Sequence, residues 1–161
     1  MCDKHFLNTD ATPLKITECI KNVFNALGHE ADFDKIDIVD RGQPHTAPRK
    51  LPNGTMAIYT FIYEGDFLKI GKVGPNSNAR YTSQHYHPNA SRSNLAKSIL
   101  DDIAMKKNGI TESNVGEWIK NNCRRIDIEI DAELGIFALE LIEALLHYEF
   151  TPKYEGYSSQ R

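Results

Sequence analysis

This chain has little that would hold it together by covalent bonds or metal. Among its 161 residues are three cysteines, Cys2, Cys19 and Cys123. Their number is odd and no two stand in a CxxC spacing. That argues against a disulfide framework or a zinc knuckle and for a reducing compartment. There is no low-complexity tract, and no apolar run approaches the ~20 residues of a membrane span. The opening residues Met1-Cys2-Asp3-Lys4-His5 lack the charged-then-apolar profile of a secretory signal. A Walker-type phosphate loop is also missing: Gly71-Lys72-Val73-Gly74 has neither the spacing nor the Lys-Ser/Thr end. The expectation is a soluble cytoplasmic protein with no membrane partner.

What is present is the material of one ordinary globular domain, 40% hydrophobic and 25% charged, long enough to close a core unaided. The net charge of −3 is ill suited to nucleic acid until it is resolved along the chain. Residues 41–100 hold eight cations (Arg41, Arg49, Lys50, Lys69, Lys72, Arg80, Arg92, Lys97) against two acids, Glu64 and Asp66, a balance of +6 that leaves −9 for the remainder. Such polarity can raise a phosphate-attracting face on an acidic protein. The alternative is a sequence block that forms no contiguous patch.

The periodicities divide the chain as follows. Thr12-Pro13 reads as a helix start, with Thr as N-cap and Pro at the first helical position. Ile16, Ile20, Val23 and Leu27 then follow at helical spacing, and Gly28 stops them. Phe33 to Val39 holds a short strand-like alternation. The proline-punctuated loop from Arg41 to Gly54 suggests a boundary near Lys50, giving an N-terminal helical extension with its basic loop (1–50) and a main domain (51–161). Met56–Tyr63 and Phe67–Val73 read as a β-hairpin about a three-residue turn, Glu64-Gly65-Asp66. That register sets Tyr59 opposite Gly71 and makes Tyr59 and Lys69 same-face diagonal neighbours. A helix capped by Asn76 or Ser77 runs through Tyr86. Another spans Ser93–Lys107 and buries Leu95, Ile99, Leu100 and Ile103. A short one over Val115–Lys120 carries Trp118. Arg125–Ile130 alternates as a third strand with one buried face. The fold class is therefore α+β, a small three-stranded antiparallel sheet flanked by helices.

The last expected helix, Leu134–Phe150, is apolar almost all round, so it is expected to be buried. Its polar positions Glu140, Glu143 and His147 fall on one narrow stripe. A carboxylate on a buried helix is costly unless paired or bound to metal, which makes Glu143 a candidate site residue. The competing reading is a salt-bridged stripe at the solvent edge. Glu143 and His147 could also join in a zinc site, but no third ligand stands at a recognisable spacing.

Taken in order, Ile58-Tyr59, Lys69-Ile70-Gly71, Arg80, His85, Glu143 and Pro152 resemble the GIY-YIG nuclease superfamily over roughly residues 56–156. Ala57 stands where the first motif usually has Gly, Lys69 replaces the second motif's Tyr, and Glu155 stands at the usual Asn. The resemblance implies a metal-dependent DNA endonuclease that hydrolyses phosphodiester bonds with one Mg²⁺ or Mn²⁺. It implies that Tyr59 activates or orients the attacking water and that Glu143 is the metal ligand. Arg80 would neutralise charge on the phosphate, and His85 would contact a phosphate or the leaving oxygen. Lys69 would assist as a nearby cation, together with Lys72. Arg49, Lys50, Arg92 and Lys97 join Lys72 as candidate DNA contacts. DNA is the expected partner, with a second copy of the chain left open.

Each of these residues also has a plainer reading: strand packing for Tyr59, solvated strand cations for Lys69 and Lys72, an acid partner for Arg80, and an ordinary surface histidine for His85. Two other functions stay open. One is a non-catalytic nucleic-acid-binding protein on a degenerate GIY-YIG fold, and the other an unrelated α+β interaction protein.

Overall fold

The structure is a computed structural model that describes residues 11–91 and 94–155. Four antiparallel strands, β1 (Ile36–Gly42), β2 (Thr55–Tyr63), β3 (Asp66–Val73) and β4 (Arg124–Asp131), form one sheet in the order β1-β4-β2-β3. The sheet therefore has four strands, not the three expected. The fourth is the alternation near Val39, which pairs along β4 from Ile36↔Ile130 onward. Among the described residues, no helix is long and apolar enough to cross a membrane.

Helices cover both faces of the sheet. On one side α1 (Ala11–Ala26) and α5 (Ile136–Phe150) enclose Ile58, Ile70, Ile126, Ile128 and Ile130. On the other lie α2 (Asn78–Thr82), α3 (Leu95–Asp101) and α4 (Val115–Asn122), packed on Ala57, Tyr59 and Phe61. This double cover is why β2 is buried along seven of its nine positions. It also corrects the expectation for β4: Arg125 and Asp127, on the supposed solvent face, are as deeply buried as the isoleucines between them.

The hairpin reaches its expected register by a different route. The turn has two residues, Glu64 and Gly65, both with positive φ (51° and 87°), and Tyr63 pairs with Asp66. Positive φ at both central positions defines a type I′ turn, whose twist suits a two-residue hairpin. A bulge then shifts the ladder between Phe61 and Ile62, so that Ile62 pairs with Phe67 but Phe61 pairs with Lys69. The extra residue in β3 makes up for the shorter turn, and Tyr59 still faces Gly71.

Several helix expectations need correction. Helix α1 already includes Ala11, so Thr12 and Pro13 lie within its first turn and Thr12 is not the cap. Leu27 is exposed. The segment after Ser77 is not one helix: α2 ends at Thr82 and a separate 3-10 turn covers Gln84–Tyr86. The helix expected over Ser93–Lys107 breaks at Asp102, whose side chain caps a 3-10 turn over Ile103–Asn108, and Ile103 is 79% exposed. Helix α5 is also not apolar-buried all round. Leu139, Ile142 and Leu146 face the sheet while Phe137 and Tyr148 are more than 80% exposed. One sheet face can cover only one side of a helix, whatever the helix composition.

Strand β3 is an edge strand, yet its edge is not bare. Thr151, with φ of 42°, ends α5, and the chain then runs along β3. The Lys153 and Tyr154 amides donate to the Phe67 and Leu68 carbonyls, each at 2.9 Å. The Tyr154 hydroxyl and the Lys153 ammonium both reach Asp102, each at 2.6 Å. This strap covers groups that an edge would otherwise offer to other chains, and it brings Glu155 to Lys69.

Candidate functional site

The candidate residues gather around the middle of β3. Tyr59 lies wholly buried with its ring laid across Gly71. A Cβ at position 71 would collide with the Tyr59 hydroxyl. That hydroxyl accepts a hydrogen bond from Arg80 Nε of α2 at 3.1 Å. Burial pushes the Tyr59 pKa up to about 12; Arg80 works against that rise, while Glu155 and Glu143 add to it.

Lys69, next on the same face, is 2% exposed and meets Glu155 at 3.1 Å. The two departures from the GIY-YIG pattern thus form one ion pair. A cation on the strand is matched by a carboxylate on the strap. His147 extends the group: its Nε2 donates to the Ile70 carbonyl at 2.9 Å and lies 3.9 Å from the second Glu155 oxygen. Lys72 pairs with Ile58, so its side chain takes the opposite face, where its ammonium bonds Glu143 of α5. The carboxylate of Glu143 is 16% exposed and Lys72 37%. An open cleft of about 410 Å³, lined by His147, Thr151, Pro152, Lys153 and Glu155, adjoins this edge.

His85 sits beneath the phenol with its ring centroid 4.4 Å from that of Tyr59. It is buried, not a surface histidine. Its Nδ1 accepts from the Leu95 amide at 3.3 Å, so the neutral ring carries its proton on Nε2, and that donor has no partner among the described residues. Burial, helped by Lys69 and Arg80, holds its pKa well below the usual value. His45, bonded to the Cys123 carbonyl (2.7 Å) and the Tyr86 hydroxyl (2.9 Å), is pushed down the same way by burial.

These depressed values give stability a pH dependence. Above pH ~6.5 both states hold these rings neutral; below it only the unfolded chain takes up the protons. The loss on acidification is at most about 1.4 kcal/mol per pH unit for each ring. Melting temperature should therefore fall between pH 7 and pH 5, and His85→Gln should flatten part of that fall. An unchanged slope in the variant would show that His85 titrates freely in the folded protein.

A second polar cluster escaped sequence reading. Arg125 and Asp127 are both fully buried on β4 and pair at 2.9 Å. Arg125 also donates to the Tyr81 carbonyl and the Tyr86 hydroxyl, each at 2.8 Å. Arg41 bonds Asp127 and donates to the Tyr81 hydroxyl at 2.9 Å. That hydroxyl lies 2.8 Å from Glu129 and 3.1 Å from Asp127. Tyr81 follows Arg80 directly, so this cluster fixes the five-residue helix that aims Arg80 at Tyr59. The available signal was the alternation Arg125-Asp127-Glu129 in a chain with too many helices to leave either sheet face open.

Of the eight cations in the 41–100 block, Arg41, Lys69 and Lys72 are matched by acids from elsewhere in the chain, and Arg80 is bonded to Tyr59. Arg49, Lys50 and Lys97 are exposed. Arg49 and Lys50 precede Leu51, whose amide donates to Asn78 at the start of α2. Lys97 lies in the first turn of α3, where Asn94 caps its amide. Arg92 lies outside the described residues.

No group of three His, Cys, Asp or Glu suited to holding a metal occurs among the described residues. Two partly exposed carboxylates flank β3, Glu155 on Lys69 and Glu143 on Lys72, each already paired with a cation. This set fits a hard ion that keeps most of its water shell, as Mg²⁺ does, rather than one needing several protein ligands. No protein-family model, no curated protein and no solved structure matches this chain.

Proposed function

We propose that this protein is a metal-dependent DNA endonuclease with a GIY-YIG-like core. The reading rests on one observation: around Gly71 on the outer strand, Tyr59, Lys69, Arg80 and Glu155 gather on one sheet face, and Glu143 reaches the same edge from the other face through Lys72. A phenol, a guanidinium and a carboxylate are what phosphodiester attack by water asks for. Mg²⁺ or Mn²⁺ at Glu143 would supply positive charge at the scissile phosphate.

The chain's own groups do the rest. Arg80, bonded to the Tyr59 hydroxyl, swings onto a phosphate oxygen and stabilises charge that grows in the transition state. That movement uncovers Tyr59 and frees its oxygen to accept a hydrogen bond from the attacking water. With a pKa near 12 the phenol is neutral at pH 7, so it orients that water and passes a proton on instead of standing ready as a phenolate. His85 offers its Nε2 proton to a phosphate or leaving oxygen. Lys69, held against Glu155, keeps a fixed positive charge beside the ring.

Plasmid nicking with and without Mg²⁺ tests this. Arg80→Ala should lower the cleavage rate by about a hundredfold or more while DNA affinity changes by less than about tenfold, because the contact strengthens in the transition state. Tyr59→Phe, which removes only a hydroxyl, should lose rate comparably with its melting curve unmoved. A second reading is a non-catalytic DNA-binding protein. It is favoured by the complete burial of Tyr59 and by the cation already on Glu143. Binding without cleavage under every divalent metal tried would select it.

A further inference from the structure

The Lys72–Glu143 pair bridges the edge of the sheet at the one carboxylate that the proposed function gives to the metal. Lys72 is the more exposed partner, and its stem lies at the outer strand, free to extend into solvent once released. Glu143 is held more firmly, on a helix whose Ile142 and Leu146 are locked in the core. The two cations on the other side of β3 have different partners: Arg80 is on Tyr59, and Lys69 on Glu155. So Lys72 is the group whose position conflicts directly with a metal ion at Glu143.

We propose that Lys72 is a placeholder cation: its ammonium neutralises Glu143 in the free protein, must leave before a divalent ion can bind there, and then pairs with a DNA phosphate. This inference rests on the reading of Glu143 as the metal ligand. It makes metal and DNA mutually dependent. A phosphate gives Lys72 a new partner and vacates the carboxylate, so DNA raises metal affinity, and by linkage metal raises DNA affinity by the same factor. The free protein then holds little metal, and the reactive arrangement is completed only on the substrate. Sequence alone shows a lysine on a strand and a carboxylate on a helix 71 positions away.

Mn²⁺ titration of the full chain, followed by loss of the free-ion electron paramagnetic resonance signal, tests this without reference to cleavage. In the free protein Lys72→Met, with Lys72→Gln as a second variant, should tighten Mn²⁺ binding by about fivefold, the upper range for a partly exposed ion pair. Lys106→Met, which removes an exposed charge elsewhere, should stay within about twofold on the same scale. With a mixed-sequence duplex added, in the Tyr59→Phe background to keep it whole, Mn²⁺ should bind wild-type Lys72 protein more tightly than without DNA. The Lys72 variants should show a smaller gain. If both Lys72 variants match the wild-type residue in both settings while Glu143→Gln weakens Mn²⁺ binding, the placeholder role is wrong and the metal ligand stands. If Glu143→Gln binds Mn²⁺ like wild type, or if no protein binds it even with DNA, the metal reading itself falls.

Discussion

Glu143→Gln should abolish Mg²⁺-dependent cleavage of plasmid DNA and leave DNA binding equal or tighter. Glu143 is the carboxylate to which the proposed function gives the metal, and the substitution keeps its shape while removing its charge. A metal's contribution at a phosphate is several kcal/mol, so the rate should fall by about a thousandfold or more. Binding moves the other way. A negative charge leaves the edge, and Lys72 loses its present partner and becomes available to phosphate. Stability should hardly change, since an ion pair with 37% and 16% exposure is worth at most about 1 kcal/mol. Cleavage assays, fluorescence anisotropy and melting curves on one preparation separate these effects. Retained cleavage would remove Glu143 from the metal site. Lost cleavage with a much lower melting temperature would assign it to packing instead.

How far such a site can be read in a sequence depends on which interactions build it. The opposition of Tyr59 and Gly71 was legible because strand pairing has period two and the turn anchors the count. Even so, it survived only because a bulge offset a turn one residue shorter than expected. Glu143 stood out as a costly carboxylate on an apolar helix, and the structure gives it the ion-pair partner that the competing reading of that stripe called for. The choice of Lys72 as its partner was not legible, because that pairing depends on how α5 crosses β3. The Lys69–Glu155 pair shows the same limit. Each looked like a separate departure from a pattern, and they compensate only because the strap after Thr151 folds back along β3. Local charge counting failed for a related reason. Three of the eight cations in residues 41–100 are matched by Asp127, Glu129, Glu143 and Glu155, none of which lies within that block.

Asp127→Ala should be the most destabilising single change in this protein. It leaves Arg125, which has no solvent exposure, and the half-buried Arg41 without their shared counter-charge. Removing one partner of a buried pair costs about 3–5 kcal/mol, because the remaining charge stays desolvated. For a domain of this size each kcal/mol is worth roughly 2–4 °C, so the melting temperature should drop by about 10 °C. The damage should also reach the candidate site. Asp127 is the cross-strand neighbour of Tyr59, and it helps hold Tyr81, whose carbonyl is fixed by Arg125. Helix α2 spans only five residues and cannot persist by local hydrogen bonding alone, so its aim depends on those anchors. Cleavage measured well below the new melting point should therefore still be reduced, with DNA affinity little changed, as Arg80 loses its fixed approach to Tyr59. Replacing the pair together, Arg125→Met with Asp127→Leu, tests the cause. It removes both charges, so it should recover part of the lost stability but not the activity, because the apolar pair cannot hold the Tyr81 carbonyl. Full recovery of both would show that the cluster serves the core alone and that Arg80 is positioned by other contacts.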